Sequence, residues 1–215
     1  MNGRSSKADS IGLALGLALF AVPSLLMYII IVEILISYLY SGTHSPGSLL
    51  ALLYWVRSEL THGALIAEIE AIVFLQLISL FGAVAIYLHA KESLKSTRRP
   101  EVQGAALVVG GMGLWPLAPP VLALMVNDRL AVTLTTLIIA AGYIMTQLGF
   151  ILLAMSREVI SPVCRTPGTC KVARLMLALS AVPIIGPLSA AILSVALVIL
   201  RPTYRASPSQ SPDTG

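Results

Sequence analysis

The sequence is poor in charge. Asp, Glu, Lys and Arg together make up 11% of its 215 residues, against about a quarter in an ordinary soluble domain. That leaves too little polar surface to coat a water-facing core. Histidine is scarce as well, limited to His44, His62 and His89. Glu59 and His62 have the i, i+3 spacing used in di-iron bundles, but no second such pair and no H-E-x-x-H follows. No metal and no cofactor is therefore expected. Cysteine is limited to Cys164 and Cys170, in "CRTPGTC" rather than the C-x-x-C of a redox pair. Pro167-Gly168 can form a turn that brings them together, yet in a cytosolic loop they are expected as free thiols. There is no G-x-S-x-G elbow, no phosphate-binding loop and no dinucleotide fingerprint, so no enzyme is expected.

Apolar residues are abundant at 57%. Runs free of Asp, Glu, Lys, Arg and His cover Ile11–Val32, Ala71–Leu88, Val102–Asn127, Leu130–Ser156 and Leu175–Leu200. A bilayer core needs about 20 helical residues at 1.5 Å rise each. The second run gains a turn or two from the residues before it. The expected fold is an all-α integral membrane protein of five transmembrane helices, at about 11–32, 64–90, 102–127, 130–156 and 175–200. Residues 1–10 form an N-terminal tail, 11–200 one bundle, and 201–215 a Ser- and Pro-rich tail expected to be disordered. The first run is too long for a signal-peptide core and shows no clear cleavage site, so it reads as a retained helix.

Basic residues set the expected orientation. Ten of the fourteen Lys and Arg fall in the N-terminal tail and the loops after spans two and four. Cytoplasmic loops are enriched in these residues. The N-terminus is thus expected in the cytoplasm and the C-terminus outside, in a multi-pass cell-membrane protein. The net charge of +4 follows from these clusters and gives no reason to expect nucleic acid. "LLALLYWVRSEL", residues 49–60, is too short to span and is broken by Arg57 and Glu59. It reads as an outer interfacial helix, with Tyr54 and Trp55 at the water–lipid boundary.

Two spans carry helix breakers. "GGMGLWPLAPP", residues 110–120, holds three glycines and three prolines, and "AVPIIGPLSAA", residues 181–191, has a related pattern. Each proline removes one hydrogen bond, so Pro116, Pro119 and Pro120 would free the carbonyls of Met112, Trp115 and Pro116. In lipid such carbonyls need partners from the protein, water or a solute. Gly110, Gly111 and Gly113 leave room for a second backbone. Gly12 and Gly16 have the same close-packing spacing in span one. Similar basic loops before spans three and five suggest a weak two-helix repeat.

Paired interrupted spans point to a transporter's binding site; the plainer reading is that the prolines kink helices so that the bundle packs. The expected substrate-binding residues are Met112, Gly113, Trp115, Pro116, Pro119, Pro183, Gly186 and Pro187. Glu33, Glu68, Glu70 and Asp128 are candidates for an outer vestibule that attracts cations; the plainer reading is interfacial placement. The function expected is a small-solute or ion permease, or its membrane subunit. The alternative is a non-catalytic accessory or assembly subunit. The expected partners are the lipid bilayer and either a second copy or another membrane protein.

Overall fold

The computed structural model describes residues 5–41, 49–94, 99–155, 159–160, 164, 166–182 and 185–199. The tail after residue 200 lies outside them. Among the described residues all regular structure is helical. The helices are α1 (Ser5–Tyr40), α2 (Leu49–Thr61), α3 (Ile66–Leu94), α4 (Pro100–Leu114), α5 (Ala118–Leu124), α6 (Asp128–Met155), α7 (Pro167–Leu179) and α8 (Ile185–Ile199). A 3-10 turn at Trp115–Leu117 joins α4 to α5.

Among the described residues, four stretches are long and apolar enough to cross a membrane: Ile11–Tyr40, Ile66–Glu92, Pro100–Leu124 and Asp128–Met155. The first outlasts the expected span by eight residues, because a charge-free run stops at Glu33 whereas the helix does not. At 1.5 Å per residue, Glu33 lies about 33 Å along from Ile11, beyond a hydrocarbon core of about 30 Å. The exposed Glu33 therefore does not interrupt the span.

Glycine decides how these helices meet. A Cβ on Gly82 of α3 would fall 2.5 Å from the backbone nitrogen of Phe20 and 2.7 Å from the Gly16 carbonyl, so α1 and α3 touch backbone to backbone. Helices α4 and α6 are antiparallel and share two such contacts seven residues apart. Gly104 faces Gly149, and Gly111 faces Gly142; an added Cβ would meet the opposite carbonyl at 2.5–2.9 Å. Small residues allow this approach, and without a hydrophobic force between helices in lipid it is close packing that holds them. Gly12 has open space around it and Gly113 only an ordinary contact, so neither performs the expected role.

Helix α2 lies across one end of the bundle. It ends in a Schellman turn, with Ala64 N–H donating to Glu59 O and Gly63 N–H to Leu60 O. Gly63 takes the left-handed conformation (φ 80°) that this turn requires. Trp55 is buried against Tyr38, with ring centroids 5.5 Å apart, while Tyr54 stays exposed. Of the two aromatics expected at the boundary, one belongs to the core.

The expected fifth span, 175–200, is corrected. Its residues do not form one helix. Helix α7 stops at Leu179, and α8 begins at Ile185 and is only 15 residues long, about 22 Å. Nor does α8 continue the direction of α7. Pro187 stands beside a cavity also lined by Phe20 and Ser24, whereas Ser194 donates to the Ala14 carbonyl (2.9 Å). Going forward along α8 is therefore going backward along α1. Helix α7 rises from the end where Arg174 donates to Met155 O (3.2 Å) up to Ser180 at the same cavity. The two form a hairpin whose outer ends lie toward the same end of the bundle. A Cβ on Gly186 would fall 2.5 Å from the Ser180 carbonyl, so the tip closes only around a glycine. Thr166 caps α7 in a reciprocal capping box with Thr169, and Cys164 and Cys170 on either side of this cap are disulfide-bonded rather than free.

Candidate functional site

The kink in the third long helix is mild. Leu114, Trp115, Leu117 and Ala118 all keep right-handed helical dihedrals. Pro116 sits in the first positions of the 3-10 turn, and Pro119 and Pro120 at the start of α5, where a missing N–H costs little. The carbonyl expected to be freed by Pro119, that of Trp115, accepts from Ala118 N–H instead. Tightening to a 3-10 turn supplies that partner within the chain.

Further along, Arg57 of α2 donates through its terminal nitrogens to the carbonyls of Leu122 and Met125 at the end of α5, and its Nε donates to Asp128 (2.8 Å). The Arg57 side chain is 10% exposed, and that of Asp128 68%. A cation on the last carbonyls of a helix satisfies orphan acceptors and complements the helix dipole. Charge content alone marked Arg57 as the residue that keeps α2 out of the membrane. Its role as a cap for a broken helix is visible only once α2 is placed.

Where the 3-10 turn and the tip of the hairpin face each other, the bundle forms a partly open cavity of ≈ 50 Å³. Of the expected site residues, Met112, Trp115 and Pro187 line it. Gly186 forms the hairpin tip beside it, and Pro116 lies in the 3-10 turn next to Trp115. Gly113 looks toward Leu80 of α3, and Pro119 lines a groove on the outside of the bundle. Pro183 lies outside the described residues. The acidic candidates do not converge on this cavity. Glu33 is exposed on α1, Glu68 is half-buried, Glu70 lines the outer groove, and Asp128 is held by Arg57. Among the described residues no group of His, Cys, Asp and Glu is placed to hold a metal ion.

The cavity wall also contains uncharged polar residues that sequence reasoning passed over: Ser24, Tyr143, Thr146, Gln147 and Ser180. Three hydroxyls donate to carbonyls one turn back in their own helices: Ser24 to Phe20 (2.6 Å), Thr146 to Gly142 (2.8 Å) and Ser180 to Met176 (3.0 Å). Behind Ser24 a polar seam continues into α3. Ser79 lies 3.3 Å from Ser24, and buried Gln76 donates to the Met27 sulfur (3.7 Å). Gln76 Oε1 is buried without a hydrogen-bond partner among the described residues. The only sequence signal for these groups is a hydroxyl or amide inside an apolar run, which a search for charges discards.

The chain finds no match among protein-family models, curated proteins or solved structures.

Proposed function

We propose that this protein is a small-solute permease, or the membrane subunit of one, whose site is the cavity between the kinked third helix and the re-entrant hairpin. One observation carries the reading: a hairpin that enters the bundle part-way and ends at a cavity whose largely apolar wall holds hydroxyls and an amide. Non-helical backbone at membrane depth is tolerated where it is buried in protein or lines a water-filled space. Interrupted helices meeting at mid-depth are how transporter folds present backbone and hydroxyl groups to a substrate. A cavity of ≈ 50 Å³ has room for a few water-sized molecules, so the solute is small.

The same reading revises the orientation. With four spanning helices and a hairpin, both ends of the bundle's chain lie on one side. Arg201 and Arg205 then join the basic residues of the N-terminal side, leaving only Arg57 and Arg129 opposite. The resulting twelve-to-two division favours a cytoplasmic location for that side more strongly than five spans do. The bonded Cys164–Cys170 pair lies on this side too and runs against the usual compartment rule. The charge bias carries more weight, because it sums over several short segments.

A second reading has its own observation. An apolar groove of ≈ 500 Å³ runs along the outside of α3 and α5, lined by Phe74, Leu77, Pro119 and Leu124. It suits a helix of another membrane protein, as an accessory subunit would need. Purified protein reconstituted alone into liposomes separates the two readings. Light-scattering or isotope flux of small polar solutes above that of empty liposomes is expected. Absence of flux for every solute, with a stoichiometric partner recovered from the native membrane, would replace the permease reading with the accessory one.

A further inference from the structure

We infer that the cavity at the hairpin tip binds a small protonated amine of the size of ammonium or methylammonium; this names the substrate class of the permease reading and rests on it.

The wall is rich in rings. Phe20, Tyr28, Trp115 and Tyr143 all line it. Aromatics are only 6% of the chain, so four around one small cavity are a concentration. Aromatic faces carry negative potential, and a cation surrounded by several is stabilised most where water is excluded. Among the described residues no Lys, Arg, Asp, Glu or His lines the wall. An anion would find no positive charge there, and a divalent cation no carboxylate.

Three hydroxyls of the wall are turned to act as acceptors. The hydroxyls of Ser24, Thr146 and Ser180 already donate to backbone carbonyls, so each offers a ligand its lone pairs. Two described residues of the hairpin tip offer it no donor. Gly186 N–H donates to Val182 O (2.6 Å), and Pro187 has no N–H to offer. The proline therefore does more than break a helix: it removes a donor at the cavity wall, where the start of α8 would otherwise attract negative charge. The indole N–H of Trp115 has no partner among the described residues, but its edge is pressed on the backbone of α6: a Cβ on Gly142 would fall 2.5 Å from both Cδ1 and Nε1. What the site requires is a compact donor with a positive charge.

The chain has two tryptophans, and Trp55 is remote, buried against Tyr38. Trp55→Phe leaves Trp115 as the sole reporter. This variant, purified and reconstituted, is titrated with ammonium and methylammonium chloride, against potassium chloride, urea and glycerol. The two amines are expected to shift Trp115 emission saturably. Potassium, which has no hydrogen to donate, is expected to bind at least about tenfold more weakly. Adding Tyr143→Leu is expected to weaken the amines by about tenfold, the range of one desolvated cation–ring contact. The unmutated protein with both tryptophans, read against Trp115→Phe, gives the same signal by difference if Trp55→Phe fails to fold. Saturation by urea or glycerol with no response to the amines overturns the amine class and leaves the permease reading standing. Equal responses to potassium and ammonium overturn it as well. No response to any solute, together with no flux, overturns both.

Discussion

The third and fifth apolar runs are written alike and folded differently. Each places a Pro-Leu-small unit after a bulky residue or a glycine, "WPLA" in one and "GPLS" in the other. The run with three prolines keeps its direction, through a single 3-10 turn. The run with fewer breakers turns back on itself. The number of breakers therefore does not set the size of a break. Support does. Helix α4 is fastened to α6 by glycine contacts at two levels, and α5 is capped by Arg57. With both ends held, the prolines fall where a helix start tolerates them. Among the described residues, α7 makes no such backbone-to-backbone glycine contact with another long helix. The closest contact there is internal, Gly186 against Ser180, and it favours the fold-back.

The largest expected effect is all-or-none. If the fifth run crossed the membrane as the third does, Thr203 would be on the opposite side from the N-terminal tail. In a Cys164→Ser, Cys170→Ser background, Ser6→Cys and Thr203→Cys are expected to react with an impermeant maleimide from the same side of sealed vesicles. Labelling from opposite sides would remove the hairpin, the revised orientation and the difference between the two runs.

The next effect tests what holds the third helix straight. Arg57→Met leaves two carbonyls at the end of α5 without their donor. A buried acceptor stripped of its partner costs about 1–3 kcal/mol. The pair with Asp128 adds little, because that carboxylate is mostly exposed. Thermal unfolding in mild detergent is expected to fall accordingly for Arg57→Met. For Asp128→Asn the loss is expected to be about 1 kcal/mol or less. The hairpin lies at the other side of the cavity and is not capped by Arg57, so accessibility of Thr203→Cys is expected to stay unchanged. A variant as stable as the parent would mean that the glycine contacts alone keep the third helix aligned.

These differences explain which parts of the fold were legible in the sequence. The four long helices were, because length and lack of charge are local properties that lipid demands of each segment separately. The short separate helix α2 was, because Arg57 and Glu59 cut its apolar run short. The hairpin was not. A charge count over Leu175–Leu200 cannot separate a helix that crosses from one that turns at Ser180, since both bury apolar surface. Three of the eight expected site residues line the cavity, Met112, Trp115 and Pro187, because breakers mark where backbone departs from a straight helix. The hydroxyls and the amides Gln76 and Gln147 were missed for the opposite reason: they leave the backbone regular, and their effect depends on which helix faces them. Gly104, Gly142 and Gly149 were missed likewise, since their seven-residue matching exists only between two helices.

The smallest expected effect distinguishes the two prolines that look most alike. Pro116 lies at the start of a 3-10 turn whose dihedrals alanine adopts readily. Pro116→Ala is therefore expected to change stability by less than about 1 kcal/mol, since what is gained in helix hydrogen bonding is offset by a more flexible unfolded chain. Pro187→Ala returns an N–H to the hairpin tip, at the cavity wall. Its effect on unfolding is expected to be equally small, but flux of the transported solute is expected to fall several-fold, because a donor now competes for the space a cationic donor needs. Flux through Pro116→Ala is expected to change less. If the two variants reduced flux equally, the kink and the hairpin would contribute alike to the site, and the asymmetry between the third and fifth runs would be one of folding alone.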